Sequence, residues 1–209
     1  MFRSPARMPR KSRRAIAGFT LVELMIVVAT IGVLAALATY GVSRHLAAAK
    51  ASEAKEGVGG ITRAAVLAYE EERSAQEVLN EGNPSALIAN VLCTTANPVP
   101  LLASQVRGRK YQPNTTLGQD FQAGSHLVGW KCLNFAKSEA MYYRYTYTAN
   151  AGYISPGVGG PDPVGDGFEA AAQGDTDGDG NLSTFARVGR LESDHLRIAT
   201  LVFAHEEFE

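Results

Sequence analysis

The longest apolar stretch lies near the N-terminus, where residues 19–42 read FTLVELMIVVATIGVLAALATYGV and contain a single charge, Glu23. As a helix, this stretch would extend about 36 Å, which exceeds the bilayer's hydrocarbon thickness of about 30 Å. Because apolar side chains would occur on every side of that helix, it needs an apolar environment all round. The pattern predicts a transmembrane anchor.

The pattern changes after residue 42. Residues 43–73 are rich in alanine and charged residues and repeat apolar positions at helical spacing, which predicts that the helix continues to about residue 80. Residues 57–60 (GVGG) interrupt this part, and three glycines cost about 3 kcal/mol relative to alanine. We therefore expect a bend or a local loosening there, or else a close contact with a helix or a sheet. Residues 82–84 (GNP) end the helical region.

Strand patterns dominate the remainder, residues 81–209. Residues 141–148 (MYYRYTYT) place Tyr143, Tyr145 and Tyr147 on one face, which favours a strand. Further strands are predicted at 128–135 and 196–203, a hairpin is predicted from 167–173 and 182–188 around a loop, and residues 155–167 are predicted to be a surface loop. A helix followed by strands predicts an α+β fold with a β-rich globular head.

Charge divides the chain sharply. Residues 1–18 hold six of the 20 basic side chains and no acidic one, so the remaining chain has 14 basic and 21 acidic side chains, a net charge of −7. A nucleic-acid-binding domain carries its positive charge on the folded part, so no nucleic-acid partner is indicated. Basic residues that precede an apolar span stay on the cytoplasmic side, which predicts that the head lies outside.

Two interpretations fit a basic leader followed by an apolar run. An ordinary secretory signal would be cleaved after Ala36-Leu37-Ala38 and would leave Thr39 as the first residue. Against it, the run is long and contains Glu23, and a charge in a membrane span costs about 3 kcal/mol in insertion assays. A carboxylate in that position indicates a function and needs a partner.

The junction before the apolar run supplies a specific motif. Residues 18–24, Gly-Phe-Thr-Leu-Val-Glu-Leu, resemble the prepilin cleavage and methylation motif of type IV pilins and type II secretion pseudopilins. The resemblance implies the type IV pilin fold, a long N-terminal helix packed on an antiparallel β-sheet. It also implies that prepilin peptidase cuts between Gly18 and Phe19, and that the new amine of Phe19 is methylated.

The same resemblance implies assembly with identical or related pilin subunits by an inner-membrane assembly machinery. Glu23 of one subunit would then neutralise the Phe19 ammonium of a neighbour, because two buried charges that are costly alone become tolerable as a pair. The precursor would reside in the inner membrane with its head in the periplasm, and the assembled filament would lie in the periplasm or at the cell surface.

The chain departs from the family in two further places. Tyr40 stands where many pilins have a proline, so nothing obliges the helix to kink. A leader of 18 residues is long, and a start at Met8 would shorten it to 11. A major pilin, a minor pilin and a pseudopilin all stay open. From a different class, a membrane-tethered exported calcium-binding domain also stays open.

The two cysteines, Cys93 and Cys132, both follow the apolar run. If the run carries them out of the cytoplasm, they meet an oxidising compartment, where a disulfide is expected. That disulfide would close a loop of about 40 residues and stabilise the head by about 4 kcal/mol. Two unpaired buried thiols are the alternative.

One acidic loop carries recognisable chemistry. Residues 175–183 (DTDGDGNLS) have carboxylates at every second position and a glycine at the sixth, as in the first half of an EF-hand loop. Such a loop would bind calcium through the carboxylates of Asp175, Asp177 and Asp179 and the carbonyl of Asn181, with Ser183 acting through a water molecule. The alternative is an acidic turn without a metal, since Asp and Gly are turn residues in their own right.

An EF-hand loop also needs a bidentate Glu at its twelfth position, which is Ala186 here. Glu169, Asp166 and Glu192 are candidates to complete the site. Enzyme motifs are absent from the sequence, and its four histidines show no metal-ligand spacing. We therefore predict a structural protein with a structural calcium ion.

Overall fold

The computed structural model describes residues 18–71 and 90–208. The chain divides into two compact units, Met1–Val42 and Ser43–Glu209, each described here by itself. Helix α1 (Leu21–Glu70) begins in the first unit, and an antiparallel sheet of five strands lies in the second. The predicted α+β fold is confirmed.

In the first unit, α1 presents an apolar surface on all sides. Thirteen of its large apolar side chains up to Val42, together with Phe19, are between 48% and 82% exposed. The helix is long and apolar enough to cross a membrane. A surface of this kind is stable in contact with lipid or with other apolar helices, not with water.

In the second unit, α1 buries one face against the head. The buried positions recur every three or four residues, as expected for an amphipathic helix; they are Ala51, Ala54, Gly57, Val58, Gly59, Ile61, Thr62, Ala65, Ala68 and Tyr69. The predicted extension to about residue 80 lies partly outside the described residues, and within them α1 ends at Glu70.

The glycine cluster at residues 57–60 does not loosen the helix. The helix continues through it, with Gly57 and Gly59 buried. A methyl group at Gly57 would lie 2.6 Å from Cζ of Tyr145, and one at Gly60 would lie 3.1 Å from Cε2 of Phe135. The expected loosening is therefore wrong, and the alternative, a close contact between helix and sheet, is confirmed.

The sheet contains β1 (Arg144–Ala149), β2 (Gly167–Gly174), β3 (Ser183–Glu192), β4 (His195–Ile198) and β5 (Phe203–His205). Its order is β1-β2-β3-β4, and β5 also pairs with β3. The predicted hairpin of 167–173 with 182–188 is confirmed as β2 and β3, in a register that places Ala171 opposite Ala186. The predicted single strand 196–203 is wrong, because the chain leaves the ladder after Ala199 and rejoins β3 at Phe203.

The predicted tyrosine face forms the centre of the core. Tyr143, Tyr145 and Tyr147 are at most 1% exposed. The Tyr145 hydroxyl donates to the Glu53 carbonyl of α1 at 3.1 Å, and the Tyr147 hydroxyl donates to the Cys93 carbonyl at 3.2 Å. Burial raises the pKa of Tyr143 to about 12 and raises that of Tyr145 as well. The Tyr143 and Tyr145 hydroxyls therefore stay protonated, so each can still donate a hydrogen bond.

The disulfide between Cys93 and Cys132 is confirmed, with the two Cα atoms 5.7 Å apart. Cys132 lies in a short helix, α2 (Gly129–Leu133), so the predicted strand at 128–135 is wrong. Two backbone conformations explain the difference: Gly129 has φ +68° and Asn134 caps the helix with φ +51°. Trp130 and Leu133 are both buried beside the disulfide, so burial here does not alternate from residue to residue as it would along a half-buried strand.

The Gly57 contact can be tested by adding one methyl group. Gly57→Ala is expected to lower the free energy of unfolding by about 1–3 kcal/mol, because the methyl group must displace the buried Tyr145 ring. Gly59→Ala is the matched control, since its methyl group meets only the Arg63 guanidinium at 3.5 Å. The control should gain up to about 1 kcal/mol from helix propensity. Denaturant unfolding of the detergent-solubilised chain measures both, and equal stabilities would contradict the contact.

Candidate functional site

The residues of the predicted cleavage junction lie just before helix α1. Phe19 is 82% exposed, and nothing approaches within 4 Å of the position that a side chain on Gly18 would take. Neither residue belongs to a helix or strand. Among the described residues, nothing therefore blocks a peptidase from the bond between Gly18 and Phe19.

Thr20 and Glu23 cap the start of α1 reciprocally. The Thr20 backbone N–H donates to Oε2 of Glu23 at 3.0 Å, and the Glu23 backbone N–H donates to the Thr20 hydroxyl oxygen at 3.3 Å. The Thr20 hydroxyl also donates to the same Oε2 at 2.9 Å. This is a capping box, which satisfies backbone N–H groups that the first helical turn leaves unpaired.

The capping box changes the account of Glu23. Its carboxylate is not bare, since one oxygen accepts two hydrogen bonds and the positive end of the helix dipole lies beside it. Within the described residues, no donor reaches the other oxygen, Oε1. The sequence interpretation gave Thr20 no role, although a Thr three residues before a Glu at the start of an apolar run is the signal that identifies such a cap.

In the head, the acidic loop connects β2 to β3. Oxygens of Asp175, Asp177 and Asp179 lie within 4.8 Å of one another. The chain turns at Gly178 and Gly180, which have φ values of +89° and +105°, in the region that favours glycine. The structure therefore brings together three of the five predicted calcium ligands.

The other two predicted ligands differ in their contacts. The buried Ser183 hydroxyl donates to the Gly174 carbonyl at 2.8 Å, whereas the Asn181 side-chain amide donates to Asp179 Oδ2 at 2.8 Å and leaves the predicted ligand, the Asn181 carbonyl, uninvolved in that bond. Glu169 is fully buried and accepts hydrogen bonds from the N–H groups of Ile154 and Ser155.

Two of the three candidates to complete the calcium shell are thus engaged elsewhere. Glu169 caps the 3-10 turn Ser155–Val158. Glu192 forms ion pairs with Arg190 and Arg197 at 3.2 and 2.8 Å. For the third candidate, Asp166, the structure shows only its backbone carbonyl accepting from Leu191.

Basic side chains of the protein itself already contact the acidic loop. Asp175 is 2% exposed and accepts hydrogen bonds from the Gly178 and Gly180 N–H groups and from Arg107 Nε at 3.0 Å. Lys50 donates to the Thr176 carbonyl at 3.0 Å. These contacts reduce the repulsion between the three carboxylates, on which the sequence argument for a metal depended.

Comparison with known proteins identifies the N-terminal segment. Residues 13–39 match the family model of the prokaryotic N-terminal methylation motif. No curated protein and no solved structure matches the chain. The matched segment includes Gly18, Phe19 and Glu23, together with all but the last three residues of the apolar run.

Proteins with this motif are structural and not enzymatic. The exposed junction, the capped Glu23 and the long apolar helix are what such a precursor requires. The chain carries the prepilin motif of type IV pilins and pseudopilins, and its long apolar helix is consistent with a membrane-anchored precursor.

Proposed function

We propose that this protein is a structural subunit of a type IV pilus-like filament. Prepilin peptidase cuts it after Gly18, and the Phe19 amine is then methylated. The observation that supports this proposal most strongly is the match of residues 13–39 to the methylation motif, combined with the open Gly18–Phe19 junction. The apolar surface of α1 up to Val42 would anchor the precursor in the inner membrane, with the head in the periplasm, and would later pack in the filament core.

Assembly depends on how apolar helices recognise one another. Helices in lipid gain little from hydrophobicity on association, so close packing and polar pairs decide the geometry. Small residues on α1 allow close approach; these are Gly32, Ala35, Ala36 and Ala38. The free Oε1 of Glu23 can accept the Phe19 ammonium of the next subunit while Oε2 keeps its bonds to Thr20.

A pseudopilin of type II secretion and a minor pilin are the alternatives within this class. Both share the motif and the fold, so identical or related subunits, the peptidase and an inner-membrane assembly machinery are partners in each case. The biological role of the filament depends on which of these it is. Neighbouring genes for pilus retraction or for secretion would distinguish them.

The role of Glu23 in pairing is separable from its role in capping. Glu23→Gln keeps an oxygen that can accept from Thr20 but removes the charge, whereas Thr20→Ala removes the cap and keeps the charge. We expect Glu23→Gln to reduce the yield of sheared filaments by about 100-fold, because a buried charge left without its partner costs about 3–5 kcal/mol. Thr20→Ala should reduce the yield less, since a lost cap costs about 1 kcal/mol.

Immunoblots of the membrane fraction provide the control, and both variants should accumulate there like the unchanged chain. If Thr20→Ala impaired filament yield as severely as Glu23→Gln, Glu23 would act as a cap alone. Normal yield from Glu23→Gln would refute the pairing role.

Calcium binding by the acidic loop is a second, independent proposal. The clustering of Asp175, Asp177 and Asp179 within 4.8 Å favours it, since calcium takes oxygen ligands from flexible loops of this kind. Binding would hold the β2–β3 connection in one conformation. A membrane-tethered exported calcium-binding domain is the corresponding function if the filament proposal fails.

Thermal unfolding in calcium and in EDTA tests this proposal. Calcium at about 100 times its Kd should stabilise the head by about 2.7 kcal/mol. Asp177→Asn combined with Asp179→Asn should abolish the shift. Asp194→Asn is the matched control, because Asp194 is an exposed acid in another turn. Equal Tm values in calcium and EDTA for the unchanged chain would contradict the proposal.

A further inference from the structure

Residues 101–110 (LLASQVRGRK) combine exposed leucines with a basic run. Leu101 and Leu102 are 66% and 59% exposed, and residues 107–110 are exposed throughout. Between these two ends lies a 3-10 turn, Ala103–Val106, whose Val106 is fully buried. The buried valine anchors the segment, so its apolar end and its basic end are both held at the surface.

The 101–110 segment is held next to Lys50 of α1. The ammonium groups of Lys50 and Lys110 lie 4.9 and 4.7 Å from the centroid of the Tyr142 ring, so the two nitrogens are at most 9.6 Å apart. The Gly108 N–H donates to the Asp175 carbonyl at 2.7 Å, and Lys50 donates to the neighbouring Thr176 carbonyl. The segment is thus attached to the part of the head where the chain enters from the apolar run.

The length of the connecting chain limits how far Lys50 can lie from the end of the apolar run. Lys50 follows Val42, the last residue of the apolar run, by only eight residues of α1. Eight helical residues rise about 12 Å. The headgroup layer and the long side chains of Lys and Arg cover a distance of that order.

The charges near Lys50 suit an anionic surface. Arg107 is paired with Asp175, and Arg109 reaches only the Ser104 carbonyl, at 3.5 Å. Among the described residues, Lys50 and Lys110 have no carboxylate within ion-pair distance, and the exposed Arg44 precedes them on α1. Within the part of the chain that the structure describes, four cations without an ion pair (Arg44, Lys50, Arg109 and Lys110) therefore outnumber the two exposed acids of the neighbouring loop (Asp177 and Asp179). The rest of the chain after residue 18 is acidic, so this local excess is unusual.

We propose that the 101–110 segment docks on the anionic headgroups of the membrane that α1 spans. Leu101 and Leu102 enter the boundary between headgroups and acyl chains, while Arg109, Lys110 and Lys50 contact lipid phosphates. Exposed apolar residues beside a basic cluster are the combination that binds membrane surfaces. Docking would hold the head on the bilayer before assembly. The proposal rests on the membrane-anchored precursor and not on filament formation.

Hydrogen exchange of the unchanged full-length chain in nanodiscs tests the proposal without mutation. Backbone amides of residues 101–110 should exchange several-fold more slowly in discs containing phosphatidylglycerol than in discs of phosphatidylcholine. Amides of residues 199–202, at another loop of the head, should be equal in both. Equal exchange of 101–110 in both lipids would overturn the proposal. So would protection that follows the number of chains per disc, because another subunit would then be the partner.

A tryptophan probe reports insertion directly. Leu102→Trp in discs of brominated phosphatidylglycerol should lose several-fold more fluorescence than Leu201→Trp, whose leucine is 79% exposed, with the unchanged chain and its buried Trp130 as baseline. Adding Arg109→Glu and Lys110→Glu to Leu102→Trp should reduce its quenching to that of Leu201→Trp. Equal quenching at positions 102 and 201 would overturn the proposal. Quenching that persists in Glu23→Gln would show that docking does not depend on assembly.

Discussion

Helix α1 exposes apolar side chains on every side up to Val42, and one carboxylate lies among them at its first turn. Water is the wrong environment for the apolar side chains, and lipid is the wrong environment for a bare carboxylate. The capping box resolves half of this conflict inside one chain, since Oε2 of Glu23 is bonded to Thr20. The other oxygen still needs a donor, which a neighbouring Phe19 ammonium would provide. The N-terminal segment is thus suited to a membrane, and under the proposed function the remaining oxygen would be satisfied by association with another subunit.

The head depends on a different constraint, the close approach of α1 to β1. Gly57 leaves room for the Tyr145 ring, and the Tyr145 hydroxyl then reaches the Glu53 carbonyl one turn earlier on the helix. Tyr147 extends the same face to the Cys93 carbonyl, and the disulfide connects that residue to α2. One row of tyrosines therefore joins the helix, the sheet and the disulfide-linked segment.

The parts that could be predicted from the sequence have a strong local signal. The apolar helix and the tyrosine face each repeat a pattern, and the hairpin of β2 with β3 is marked by the Asp- and Gly-rich turn between its strands. Helix α2 has only five residues and depends on the conformations of Gly129 and Asn134, which no hydrophobic pattern indicates. The predicted last strand is divided in two because β3 is ten residues long and pairs with both β4 and β5.

The candidate sites also contain parts that the sequence predicts and parts that it does not. The cleavage junction and the three clustered carboxylates follow from short motifs. The contacts of Arg107 and Lys50 with the acidic loop join residues 68 and 126 positions apart, and such pairings arise only from the folded arrangement. They reduce the need for a metal, and Arg107 connects the loop to the basic segment 101–110.

Mass spectrometry of the mature N-terminus is a direct test of prepilin processing. The chain recovered from membranes should begin at Phe19 and carry one methyl group on that amine. This result is the same whether translation starts at Met1 or at Met8, because both precede Gly18. A chain that begins at Thr39, or one that keeps its basic leader, would contradict the account.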